Sequence, residues 1–175
     1  MFSLPDRHAC TAHTLQLVVN DGMKEASDRI KQVVGKSKSL IASIHKSAKA
    51  TELLEAEGAC HIPSPGETRW NSSYLMMNAI VKTELAKRRL LNKVTDELGN
   101  SIKVTDWDVA ILKEMCLILE PIANATVHLE ADSVPTSGLV LPVVIGLSKA
   151  VNKVQTEYCT SVKTGIANYL DHRFG

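Results

Sequence analysis

The longest apolar stripe in the chain, at residues 107–129, constrains the fold most. Apolar side chains recur there at intervals of three and four residues, which places them on one face of an α-helix. The stripe consists of Trp107, Ile111, Met115, Ile118, Ile122, Ala125 and Leu129. Thr105 fits the N-cap of this helix, and Asp108 fits the capping-box position three residues later. Pro121 lies inside the stripe and lacks a backbone donor, which predicts a kink just before it.

Three further stretches, residues 37–57, 73–94 and 137–154, carry apolar stripes of the same kind. Thr136, directly after Pro135, fits the cap of the third stretch. Alternation typical of strands is confined to a few residues at the start. Because only 4% of the residues are aromatic, the core must consist mainly of aliphatic side chains. These patterns predict a predominantly helical, all-α chain of about five or six helices.

The apolar runs are too short to predict a membrane partner. The longest, residues 139–147, is interrupted by Pro142 and Gly146. A membrane-spanning helix needs roughly 20 apolar residues.

Charge is distributed unevenly along the chain. Residues 22–50 hold seven basic and two acidic groups, a net charge of +5, whereas residues 104–132 carry a net charge of −5. The two regions could be solvated faces that attract each other or keep the protein soluble. Alternatively, the basic region could face nucleic-acid phosphates. The candidate phosphate contacts are Lys31, Lys36, Lys38, Lys46, Lys87, Arg88 and Arg89.

The pair Cys10-x-x-His13 has the spacing of two metal ligands, but a structural zinc site needs about four. Cys60 and His61 are adjacent, which makes it awkward for both to reach one ion. We therefore expect no metal, with His13 a buried core histidine and Cys10 a small buried apolar residue. Neither a phosphate-binding glycine loop nor a convincing catalytic pair is present. The residues predict no enzyme and no cofactor.

Arg69 and Trp70 stand together at the junction of a Pro- and Gly-containing loop with a predicted helix. The indole could be a core anchor under the helix start. It could instead stack on an unpaired base while Arg69 contacts a phosphate nearby. The local sequence leaves both interpretations open.

Several segments, read in order, resemble the hAT-superfamily transposases and the BED zinc-finger proteins domesticated from them. "CTAHTLQLVVND" is similar to the Cys-x-x-His segment of that family, and "ETRWNSSYLMM" to its Thr-Arg-Trp-Asn segment. "LEPIANAT", "SVPTSGLVLPVV" and "YLDHRFG" follow in the order seen in the family. The resemblance covers nearly the whole chain.

The resemblance implies a helical insertion in an RNase H-like catalytic region. Residues 1–22 would form the Cys-x-x-His helix at the edge of that core, and residues 23–175 would belong to the insertion. Cys10 and His13 would lie beside the active site. Trp70 would stabilise an extruded base, with Arg69 beside it.

The resemblance also implies that the family's catalytic apparatus is incomplete in this chain. Its transposases hold two divalent metals with three acidic residues, two upstream of the Cys-x-x-His helix and one beyond the terminal segment. In that segment His172 replaces the usual proline. We therefore expect a catalytically incomplete fragment of a nuclear DNA-binding protein, whose homo-oligomerisation would need regions missing here. The alternatives are a helical protein-interaction scaffold and one piece of an active transposase.

Overall fold

The computed structural model describes residues 11–64, 70–131 and 137–174. Within these ranges every regular element is a helix, which confirms the all-α prediction. No helix there is both long and apolar enough to cross a membrane. The elements are α1 (Thr11–Lys24), α2 (Asp28–His45), α3 (Ala48–Ala56), α4 (Trp70–Ala86), α5 (Leu90–Glu97), α6 (Asp106–Ala131), α7 (Ser137–Lys153) and α8 (Thr160–Phe174).

Helix α6 is the centre of the fold, since α1, α2, α4 and α7 all pack against it. The predicted capping box at its start is confirmed. The Asp108 amide donates to Thr105 Oγ1 at 3.1 Å, and the Thr105 amide donates to Asp108 Oδ2 at 2.7 Å. The helix is continuous through Pro121. Its fully buried side chains are Ile111, Leu112, Met115, Ile118 and Ile122.

The prediction of a single helix over residues 73–94 is wrong, because the chain turns between α4 and α5. Arg89 adopts a left-handed backbone conformation with φ of 64°. The Glu84 carboxylate holds this turn by accepting hydrogen bonds from the amides of Arg89 (2.7 Å) and Leu91 (3.0 Å). These bonds satisfy donors that the start of α5 would otherwise leave unpaired.

The stretch at residues 37–57 also contains two helices rather than one. Helix α2 ends at His45, and Ser47 caps α3 by accepting a hydrogen bond from the Ala50 amide at 3.3 Å. Ser27 caps the start of α2, so that helix begins well before the predicted stripe. Serine favours such positions because its hydroxyl satisfies a free backbone donor. The described ranges thus contain eight helices, more than predicted.

A carboxylate of α6 binds the backbone at the start of α8 and joins the two helices. Glu114 of α6 accepts hydrogen bonds from three successive backbone amides at 2.9–3.0 Å. The donors are Glu157, Tyr158 and Cys159. An anion suits this place, because the start of a helix carries partial positive charge.

Helices α1 and α8 approach each other closely at two glycines. A Cβ atom on Gly22 would lie 2.3 Å from Ile166 Cγ1, and one on Gly165 would lie 3.4 Å from the Gly22 Cα. Arg173 of α8 donates to Asp21 of α1 at 2.5 Å.

Helix α1 ends at Lys24 and packs on α8 and α6, so the predicted boundary after residue 22 falls inside this helix. The division into two regions there stays a prediction.

Candidate nucleic-acid interface

Helix α2 and its C-cap present three exposed lysines, Lys31, Lys38 and Lys46. The opposite face of α2 is buried against the core, which turns these side chains outward. Its buried apolar residues are Ile30, Val33, Val34, Leu40, Ile41 and Ile44. At a helical rise of 1.5 Å per residue, the lysines are spaced by roughly 10 and 12 Å along the axis. We call these three residues the α2 lysine row.

The α2 lysine row lies outside the ion pairs that the structure describes. None of the ion pairs among the described residues includes Lys31, Lys38 or Lys46. Gly35 and Ala42 lie between the lysines on the same face and are exposed as well. Small neighbours of this kind leave room for a large polyanion to approach the three ammonium groups.

Lys36, also predicted to contact phosphate, turns toward α6 instead. It donates to the carboxylate of Asp108, which also accepts from Thr105. Burial raises the pKa of Asp108, but the hydrogen bonds from Lys36 and Thr105 outweigh it, and the net pKa lies below the ordinary value. Nearby, the guanidinium of Arg29 lies 4.0 Å from the ring centre of Trp107. Part of the basic region therefore binds the acidic region of the same chain, one of the two interpretations of the charge pattern.

The basic residues between α4 and α5 have partners within the chain too. Lys87 pairs with Glu57 at 3.1 Å, and Arg88 pairs with Asp106 at 2.5 Å. The Arg88 hydrogen bond holds the pKa of Asp106 below its usual value. Arg89 keeps an exposed side chain. Of the predicted phosphate contacts on this turn, Arg89 alone is outside the ion pairs of the described residues.

Trp70 is the first residue of α4 and is 8% exposed. Its ring centre lies 6.4 Å from that of Tyr74, with the planes inclined at 52°. This packing favours the core-anchor interpretation of the indole. Arg69 lies outside the described residues, and contact of either residue with DNA stays a prediction.

Of the Cys-x-x-His pair, only His13 is among the described residues. Cys10 lies outside the described residues. His13 is exposed on α1, so the prediction of a buried core histidine is wrong. The buried side of α1 is formed by Leu15, Val18 and Val19, and His13 lies off that face. In the described parts of the chain, no three His, Cys, Asp or Glu side chains are grouped to hold a metal ion.

A cavity of about 380 Å³ at the end of α2 was not predicted. Apolar side chains of α2, α3 and the segment after α3 line it together with His45 and His61. Ser64 lies beside it, with its hydroxyl 2.6 Å from His45 Nδ1. These residues come from separate segments, so no spacing in the sequence indicates the group.

One family model matches the chain. It describes the ZBED1 RNase-like helical domain and covers residues 8–117, more than half of the sequence. The chain belongs to this family. The ZBED1-type match supports a transposase-derived protein of the hAT/BED kind and includes the whole α2 lysine row. No curated protein and no solved structure matched the chain.

Proposed function

We propose that this chain is part of a transposase-derived nuclear protein and associates with DNA through the α2 lysine row. The observation that carries the proposal is the row itself, since Lys31, Lys38 and Lys46 are exposed and outside the ion pairs of the described residues. The family match supports it, because proteins derived from transposases descend from proteins that bind DNA. With DNA as its partner, the protein would act in the nucleus.

The expected contact is with the phosphate backbone and not with base edges. Lysine ammonium groups on a helix surface neutralise phosphates and release their counterions. Each neutralised phosphate of duplex DNA contributes about −0.9 to the slope of log affinity against log salt, so the row should contribute about −2.7. The whole chain has a net charge of only +1, so we expect weak binding without sequence preference.

We propose no catalytic activity for the isolated chain. By resemblance, the family's phosphodiester chemistry needs three acidic metal ligands, and this sequence does not supply them. The chain would bind DNA and leave it uncut. Homo-oligomerisation, or catalysis within an active transposase, would depend on regions beyond these residues.

An interaction scaffold without DNA binding is the second candidate. It is favoured by apolar side chains that α7 exposes one helical turn apart. Leu141 is 61% exposed and Ile145 is 46% exposed. Exposed apolar pairs of this kind can form part of a protein-binding face.

The two candidates are separated by DNA titration of charge-matched variants. In one variant Lys31, Lys38 and Lys46 become Gln. In the control, three exposed or partly exposed lysines that form ion pairs, Lys49, Lys93 and Lys103, become Gln. Both variants lose the same net charge. A difference in their DNA affinity therefore shows that the position of the lysines matters, and not only their number.

Fluorescence anisotropy with a duplex of about 20 base pairs should be recorded over a range of salt concentrations. We expect the row variant to bind more weakly and its salt slope to flatten by about 2.7, or about 0.9 for each lysine. The control should keep most of the slope. Equal loss in both variants would indicate a net-charge effect alone. Absence of salt-dependent binding by the unmodified chain would favour the scaffold.

A further inference from the structure

Ser64 stands out among the hydroxyl residues of the chain. It is the only serine or threonine in the sequence that is followed directly by proline, Pro65. Its side chain is exposed and lies two residues beyond Ile62, which is 4% exposed and anchors the segment to the core. Residues 59–64 contain no helix, and no turn or loop hydrogen bond joins the backbone of residues 60–64 to backbone elsewhere in the described ranges.

The hydroxyl of Ser64 is oriented by His45. The Nε2 atom of His45 lies 2.8 Å from the carbonyl oxygen of Ile62, and Nδ1 lies 2.6 Å from Ser64 Oγ. A carbonyl oxygen only accepts, so Nε2 carries the hydrogen. In the neutral ring Nδ1 is then an acceptor, and Ser64 donates its hydroxyl proton to it. The imidazole is thus fixed in orientation next to the hydroxyl.

We propose that Ser64 is a phosphorylation site for a proline-directed protein kinase and that His45 binds the resulting phosphate. Such kinases phosphorylate a serine that is followed by proline. Proline has no backbone N–H to place in the substrate cleft of the kinase. In the reaction Ser64 Oγ bonds to the γ-phosphorus of ATP while the bond from that phosphorus to the bridging oxygen breaks. ADP leaves, and the hydroxyl proton passes to a base of the kinase.

The surroundings of His45 suit a phosphate. The ring centre of His61 lies 6.2 Å from that of His45, and Lys46 is the next residue along the chain. Glu55 lines the same cavity and is the acidic side chain that would oppose the new charge. A phosphoserine carries a charge of about −1.5 to −2 at pH 7 and three strong acceptor oxygens. With both ring nitrogens protonated, Nδ1 of His45 would change from accepting a hydrogen bond to donating a charge-assisted one to the phosphate.

This proposal goes beyond DNA association and does not require it. The test is phosphorylation of the purified full chain by a proline-directed kinase with magnesium and ATP, followed by peptide mass spectrometry. We expect one phosphate, on Ser64. Ser64→Ala should abolish the modification, and Pro65→Ala should reduce it at least tenfold while keeping the hydroxyl. Ser101→Ala, at another exposed serine outside the helices, should leave it unchanged.

Absence of incorporation, incorporation mainly elsewhere, or an undiminished rate in Pro65→Ala would overturn the site. The role of His45 has its own measurement, ³¹P NMR titration of the phosphorylated chain. An imidazolium next to the phosphate should lower the midpoint of the second ionisation of the phosphate by about 0.5 pH unit relative to phosphorylated His45→Gln. The shift is smaller than for a buried pair because the two groups are exposed to water. Identical midpoints in the two proteins would show that His45 does not bind the phosphate.

Discussion

A methyl group added at Gly22 should force helices α1 and α8 apart. In Gly22→Ala the new Cβ would lie 2.3 Å from Ile166 Cγ1, 3.0 Å from the Ile166 backbone nitrogen and 3.2 Å from its Cα. The side chain of Ile166 could rotate to relieve the first contact. The backbone contacts persist in every rotamer, so relief requires the helices to separate by several tenths of an ångström.

The expected change in the free energy of unfolding combines two opposing effects. Overpacking of a well-packed site costs about 1–3 kcal/mol. Alanine is favoured over glycine inside a helix by roughly 0.5–1 kcal/mol, which offsets part of that cost. We expect Gly22→Ala to lower the free energy of unfolding by about 1–2 kcal/mol. For a chain of this size that corresponds to a melting temperature lower by about 3–6 °C.

Gly35→Ala is the matched control, because the same methyl group is added to a helix where nothing lies within 4 Å of the new Cβ. It should raise the free energy of unfolding by about 0.5–1 kcal/mol. Both variants should be compared with the unmodified chain by thermal and urea unfolding, followed by far-ultraviolet circular dichroism. If Gly22→Ala is as stable as Gly35→Ala, helices α1 and α8 do not meet at these glycines.

Three further outcomes are expected. Asp108→Asn should destabilise the chain by about 1–2 kcal/mol near neutral pH, because the neutral amide no longer forms charge-assisted hydrogen bonds with Lys36 and Thr105. Because the pKa of Asp108 is lowered from 3.8, this difference should vanish as pH falls through the folded-state pKa, as acid unfolding titrations can measure. Trp70→Ala should cost about 3 kcal/mol and weaken binding to duplex and unpaired DNA equally; selective loss on unpaired DNA in a stable variant would instead indicate base stacking. Burial raises the pKa of Cys116 and of Cys159 to about 12, so in mildly alkaline buffer a thiol reagent should modify exposed Cys60 well before them, and equal rates by mass spectrometry would contradict their burial.

The sequence predicted the parts of the fold that depend on neighbouring residues. The α6 stripe and its cap are local patterns of three and four residues, and both are present. The break before α5 was missed because its left-handed residue is Arg89, not a glycine, and Glu84 stabilises it from five residues away. Nothing in helical periodicity indicates such a hydrogen bond.

The candidate interface was predicted only in part for a related reason. Charge counts identified the basic region, but they could not separate free lysines from paired ones. The partner of Lys36 is Asp108, 72 residues further along the chain. The packing of α2 on α6 removes Lys36 from the predicted set, and pairing with Glu57 and Asp106 removes Lys87 and Arg88. The α2 lysine row and Arg89 remain.

The central position of α6 has a consequence for how the chain unfolds. The family match ends at residue 117, in the middle of this helix, and fully buried Ile118 and Ile122 follow directly. Helices α1, α2 and α4 pack on α6, and so does α7 beyond the match. Because α6 is continuous across residue 117, local unfolding on one side of that residue disturbs the helix packing on the other side. The cooperative unit is therefore larger than the matched segment, and amides on both sides of residue 117 should exchange hydrogen with similar free energies.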